Sequence, residues 1–133
     1  MTSNVLYNGN LNTTCLHLES GNAIQTAAPR DNNGDGSAFS PTDLLATSLA
    51  ACMLSVMGMY AKNNNINLIG SLAEVTKVMS AAPRCVAEIA ISIKMKHDNI
   101  DEKTKQILQN IAHTCPVARS LHPNIIQKID FIW

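Results

Sequence analysis

The chain has 133 residues, of which 46% are apolar and 15% charged, enough apolar side chain for one packed domain and too much for a disordered chain. Ten basic residues balance ten acidic ones and no Lys/Arg run is present, so the electrostatic footprint of a nucleic-acid-binding protein is missing. Near-zero net charge gives little colloidal repulsion, which suits a chain that buries surface in an oligomer.

The start, "MTSNVLYNGN", has no basic end followed by an apolar run, so no secretory leader is expected and a cytoplasmic location is. There, Cys15, Cys52, Cys85 and Cys115 are expected to be free thiols, catalytic thiols or metal ligands, not structural bridges. "VLYNGNL" and "TTCLHLE" read as short strands separated by Asn and Gly, and "SGNAIQTAA" as a turn and a third strand. Residues 29–39, "PRDNNGDGSAF", form a loop by composition, and it carries Arg30. Ser40 then caps a helix with Pro41 at its first position and Asp43 completing a capping box in place of the usual Glu. That helix is predicted to run to about Lys62, where "NNN" ends it.

The run from Leu68 to Met79 reads as a strand, joined through "SAAPRC" to a second strand in "VAEIAISIKMKH", whose apolar residues recur with period two. "DEKTKQILQNIAHT" carries Ile107, Leu108 and Ile111 at helical spacing. "CPVARSLHP" predicts a short helix and "IIQKIDFIW" a final alternating strand. The order β-β-β-α-β-β-α-α-β, with no linker or repeat, predicts a single α+β domain over 1–133, dominated by antiparallel pairing.

From Leu44 to Ala61 there are 18 residues without a formal charge, the lower limit for a membrane span. Thr47, Ser48, Ser55 and Tyr60 interrupt the apolarity, and a span would leave the flanking strands without a core. The better reading is a soluble protein with a helix buried on all sides. A sheet covers one side of such a helix, and a second chain covers the rest.

Cys52 lies in the third turn of this helix, too far from its N-terminus for the dipole to act on the thiol. An apolar site raises a thiol pKa, so reactivity at Cys52 requires a nearby cation; without one it is a small hydrophobe. Cys115 stands before Pro116 at a helix cap position, where backbone N–H groups favour a thiolate, and is read equally as a cap or a reactive thiol. Cys15 and Cys85 read as ordinary strand side chains. Zinc needs four ligands in close pairs, and only Cys15-x-His17 and His113-x-Cys115 approach that spacing. No phosphate loop, nucleophile elbow or carboxylate pair is present.

Three segments, "SPTDLLATSLAACMLSVMG", "HTCPVARSLHP" and "IDFIW", with the Gly/Asn-rich loop before the first, resemble the osmotically inducible protein C / organic hydroperoxide resistance family over essentially the full chain. The resemblance implies an α+β OsmC-like fold: a curved antiparallel sheet wrapped around a long buried helix, in an interwoven homodimer with active sites at the subunit interface. It implies a thiol peroxidase without metal or cofactor. The cysteine matching Cys52 attacks an organic hydroperoxide and becomes a sulfenic acid. The one matching Cys115 condenses with it to a disulfide, and a dithiol such as dihydrolipoamide or a lipoyl protein resets the pair. The alternative in the same fold is a non-catalytic redox or small-ligand-binding module. The family places an arginine beside the attacking thiol. Arg30 best matches that place, with a gap of about two residues; Arg84 is a second candidate, and Asn12 stands where one branch has its arginine. The family's glutamate partner for that arginine corresponds to Thr42, one residue before the capping Asp43.

Overall fold

The computed structural model describes residues 1–133. The element order is β1 (Ser3–Gly9), β2 (Asn12–His17), β3 (Ala23–Ala27), α1 (Pro41–Asn63), β4 (Leu72–Ala81), β5 (Arg84–Lys94), α2 (Glu102–His113), α3 (Pro116–Ser120) and β6 (Ile126–Ile132). This is the predicted order, and the class is α+β. The strands make two three-stranded sheets, β1-β2-β3 and β4-β5-β6. The chain divides into two compact units, Met1–Leu45 and Ala46–Trp133.

In the first unit, β1 and β2 are joined by a tight turn whose Asn10 and Leu11 adopt φ of 51° and 59°. A leucine in the left-handed region is uncommon, and Asn10 is the more natural occupant. The sheet buries little in a single chain: Val5, Leu6, Tyr7 and Ile24 are all exposed. The loop that follows is built by backbone bonds. Pro29 O accepts from Asn32 N and Gly34 N, both at 2.9 Å, and Ala28 O accepts from Gly36 N at 3.2 Å. A Cβ at position 34 would lie 1.7 Å from Ala28 O, so only glycine fits there. Helix α1 begins as its sequence predicts. Ser40 Oγ accepts from Asp43 N at 3.0 Å while Asp43 Oδ2 accepts from Ser40 N at 2.9 Å, a reciprocal capping box.

The second unit holds the core. Leu49, Met53 and Met57, spaced at four residues, form one buried stripe of α1. It packs with Ile89, Ile91 and Ile93 of β5 and with Leu108 and Ala112 of α2. The all-round burial expected of α1 is not met in one chain. Ala51, Ser55 and Met59, on the opposite face, are exposed, Met59 by 66%. The helix is apolar on two faces, and its own chain covers one. It is long and apolar enough to cross a membrane, yet its buried stripe is the centre of this core.

One other expectation changes. Strand β4 starts at Leu72, not Leu68, because 68–71 form a turn: Asn67 Oδ1 accepts from Ile69 N, Ser71 Oγ donates to Leu68 O, and Gly70 has φ of 92°. Strands β5 and β6 pair in parallel, from Glu88 opposite Ile126 to Lys94 opposite Ile132. The intervening α2 and α3 supply the crossover that parallel pairing requires. The other three strand pairs are antiparallel.

Candidate active site

Cys52 sits at the edge of the buried stripe of α1, half-buried and packed against the core. Cys115 lies at the junction of α2 and α3. Its N–H donates to Ala112 O at 3.3 Å, and its extended backbone (φ −62°, ψ 148°) makes it the N-cap of α3, with Pro116 next. Its side chain is 1% exposed. Cys115 Sγ accepts from Ala118 N at 3.3 Å, the bond a capping side chain makes. Cys52 is the neighbouring thiol that acts on Cys115, through a hydrogen bond and through charge. Residues 63 positions apart in the chain are thus adjacent, and all four cysteines are free thiols.

The cap hydrogen bond does not make Cys115 a thiolate. Burial pushes its pKa above the usual 9.0, the Ala118 N–H acts in the opposite direction, and the neighbouring Cys52 adds to the rise. Of the two readings of Cys115, the cap is present. Desolvation outweighs it, and Cys115 holds its proton at neutral pH.

Arg30 opens a 3₁₀ turn in the loop of the first unit and is exposed. Its Nε donates to Asp35 O at 3.1 Å, and its aliphatic stem passes over Gly36, where an added Cβ would meet Arg30 Cγ at 3.0 Å. The guanidinium is thus held by a backbone carbonyl of its own loop. Thr42, at the family's glutamate position, shares a hydroxyl contact with Ser40 at 3.2 Å, and Asp43 is occupied by the cap. Arg84 is exposed at the β4–β5 hairpin. Cys15 contacts Thr13 at 3.7 Å and Cys85 contacts Ser80 at 3.0 Å. His113 packs edge-on against Phe131 with ring centroids 5.8 Å apart. No three His, Cys, Asp or Glu side chains converge as metal ligands would.

Sequence reasoning missed one polar contact at this site. Gln127 of β6 reaches Ala118 O with its Nε2 at 3.0 Å. The signal was available: Gln127 is the polar residue in the alternating row Ile125, Ile129, Phe131. A cavity of about 680 Å³ lies elsewhere, between the C-terminal half of α1 and the following loop. Leu54, Gly58, Ile66 and Leu68 line it, with Lys62 as its charged group. It contains neither thiol, so the chemistry, not the volume, locates the candidate site.

The α+β element order, with its long apolar central helix, is that of the OsmC-like class. The family model described as OsmC-like protein matches residues 34–130, and the chain belongs to that family. A protein from Psychrobacter arcticus 273-4, described as a candidate osmotic stress induced and detoxification response protein, is 53% identical over 98% of this chain and 95% of its own, with a TM-score of 0.94. The organic hydroperoxide resistance protein OsmC from Legionella pneumophila is 21% identical over 100% of this chain and 98% of its own, at a TM-score of 0.73. The organic hydroperoxide resistance protein OhrB of Bacillus subtilis is 20% identical over 98% of each chain, at 0.65. These two share the fold. No curated protein matched the sequence.

Proposed function

We propose that this protein is a thiol peroxidase that reduces organic hydroperoxides to alcohols, with Cys52 as the attacking thiol and Cys115 as the resolving one. The observation that carries the reading is the pairing of the two thiols, one half-buried and one fully buried and protonated. The Cys52 thiolate attacks the terminal peroxide oxygen. The O–O bond breaks, the alkoxide takes a proton and leaves as alcohol, and Cys52 becomes a sulfenic acid. Cys115 loses its proton as its sulfur displaces hydroxide, forming the disulfide and water. A dithiol, dihydrolipoamide or a lipoyl protein, then accepts the oxidising equivalents and restores both thiols.

The order of events follows from the electrostatics. A buried, protonated thiol is a poor first nucleophile, yet it is well placed to meet a sulfenic acid beside it. The family resemblance makes Arg30 the first candidate for the activating cation, with Arg84 the second; Arg30 is bonded within its own loop. Arg30→Met is expected to slow sulfenic acid formation, and an unchanged rate would remove Arg30 from the reaction.

The working unit on this reading is a cytoplasmic homodimer. The exposed face of α1 and the exposed strands of the first sheet are apolar surfaces that a second copy would cover. The assay is consumption of cumene hydroperoxide by purified protein supplied with dihydrolipoamide. Cys52→Ser and Cys115→Ser should each lose turnover, and an unaffected Cys52→Ser protein would sink the assignment. The cavity beside Lys62 favours a second reading, a non-catalytic small-ligand-binding module. That reading requires no peroxide turnover and no disulfide between Cys52 and Cys115 after peroxide treatment.

A further inference from the structure

Cys115 is carried by α3, a helix of five residues. One turn of helix has almost no stability of its own in water. The bonds inside it are local: Arg119 N donates to Cys115 O at 3.2 Å, and Leu121 N donates to Val117 O at 3.1 Å. Val117, Ala118 and Leu121 pack against the core, and a side-chain hydrogen bond from outside the helix comes from Gln127, whose Nε2 donates to Ala118 O at 3.0 Å. Ala118 is also the residue whose N–H points at Cys115 Sγ. A side chain on β6 therefore grips, by its carbonyl, the residue that bonds the sulfur by its amide.

Gln127 is anchored beside the core. It lies opposite Ile89, a fully buried residue of β5, in the parallel pairing. It shares the inward-leaning face of β6 with Ile129 and Phe131, which pack on the core. An aliphatic side chain would suit that row better, since polar groups on a core-facing row need a partner or lower stability. The sheet itself has no use for an amide there; α3 does.

We propose that Gln127 is a positioning residue for the resolving thiol: it fixes α3 so that the Ala118 N–H stays aimed at Cys115 and the sulfur stays turned toward Cys52. The functional meaning rests on the peroxidase reading above, while the positioning can be measured without peroxide.

The first readout is the pH profile of Cys115 alkylation by iodoacetamide, in reduced full-length protein with Cys15, Cys52 and Cys85 changed to Ser. Loss of the grip in Gln127→Met lets the Ala118 N–H swing away from the sulfur and moves the midpoint of the profile, normalised to its own high-pH plateau, to higher pH by up to about one unit, the effect of one modest hydrogen bond. The second readout uses all four native thiols and one equivalent of cumene hydroperoxide. Dimedone-trapped Cys52 sulfenic acid should rise at the expense of the Cys52–Cys115 disulfide. A purely structural role would lower both products together. Gln127→Glu, similar in shape but carrying an acceptor against the Ala118 carbonyl, should act in the same direction and serves if the Met variant fails to fold. An unchanged alkylation profile in either folded variant overturns the proposal. A protein that forms no sulfenic acid at all defeats the peroxidase reading instead, and the alkylation profile still decides the role of Gln127.

Discussion

Thiol counting after a single dose of peroxide tests the pairing of Cys52 and Cys115 directly. The reduced chain carries four free thiols, and Cys52 is the one that acts on Cys115. Cys15 and Cys85 have hydroxyl neighbours, Thr13 and Ser80. One equivalent of organic hydroperoxide should therefore remove two thiols from the count, leaving two when the protein is denatured and titrated with a thiol reagent. Cys115→Ser starts at three and should lose one, because Cys52 is oxidised and finds no thiol to condense with. That sulfenic acid then moves up the oxidation ladder, and excess peroxide should add two or three oxygens to Cys52 by mass spectrometry. Cys52→Ser starts at three and should stay at three, since Cys115 is buried and protonated. Peptide mapping identifies the pair. If Cys52→Ser also loses two thiols, or if the wild-type disulfide contains Cys15 or Cys85, the reasoning from geometry fails.

Three further outcomes follow from the packing and the electrostatics. Ile89→Ala empties a fully buried site beneath α1 and should cost about 2–5 kcal/mol of stability, seen as a lower urea midpoint without loss of the OsmC-like fold. Cys115 has a raised pKa in the folded chain, so from about pH 9 upward the unfolded chain ionises first. Its stabilising effect is fully present below that pH and is lost as pH rises through the folded value, by at most about 1.4 kcal/mol per pH unit. Reduced Cys115→Ala should accordingly show a shallower fall of the urea midpoint above about pH 9, and parallel curves would refute the burial argument. Ala51→Glu places a charge on the exposed face of α1; if a second copy covers that face, an unpaired buried charge costs about 3 kcal/mol and weakens the dimer more than a hundredfold, and an unchanged sedimentation mass would argue against that interface.

Much of this molecule could be read from local signals. Ser40, Pro41 and Asp43 mark the start of α1 because capping chemistry is decided within four residues. The alternation in β5 predicts which of its residues face the core, and Ile89, Ile91 and Ile93 do. What depends on distant partners was hidden. Periodicity identifies β5 and β6 but carries no information on direction, so their parallel pairing emerges only once α2 and α3 form the crossover. The apolar face of α1 that its own chain leaves open looks the same in sequence as the face it buries. At Cys115 the cap was legible and the burial was not, and burial dominates its titration. Gln127 broke an apolar row in the sequence, but its partner Ala118 is reached only through the fold.

The long separation between the two thiols has a consequence for folding as well as for chemistry. A bond between Cys52 and Cys115 would close a covalent ring of about 60 residues, running from the centre of α1 through β4, β5 and α2. In the chain-entropy description such a ring narrows the unfolded ensemble and stabilises the native one by about 4 kcal/mol, less any strain. The same oxidation that ends one catalytic step would staple most of the core. An oxidised protein awaiting its reductant would then be harder to unfold and to degrade than the reduced form, and reduction would return it to ordinary turnover.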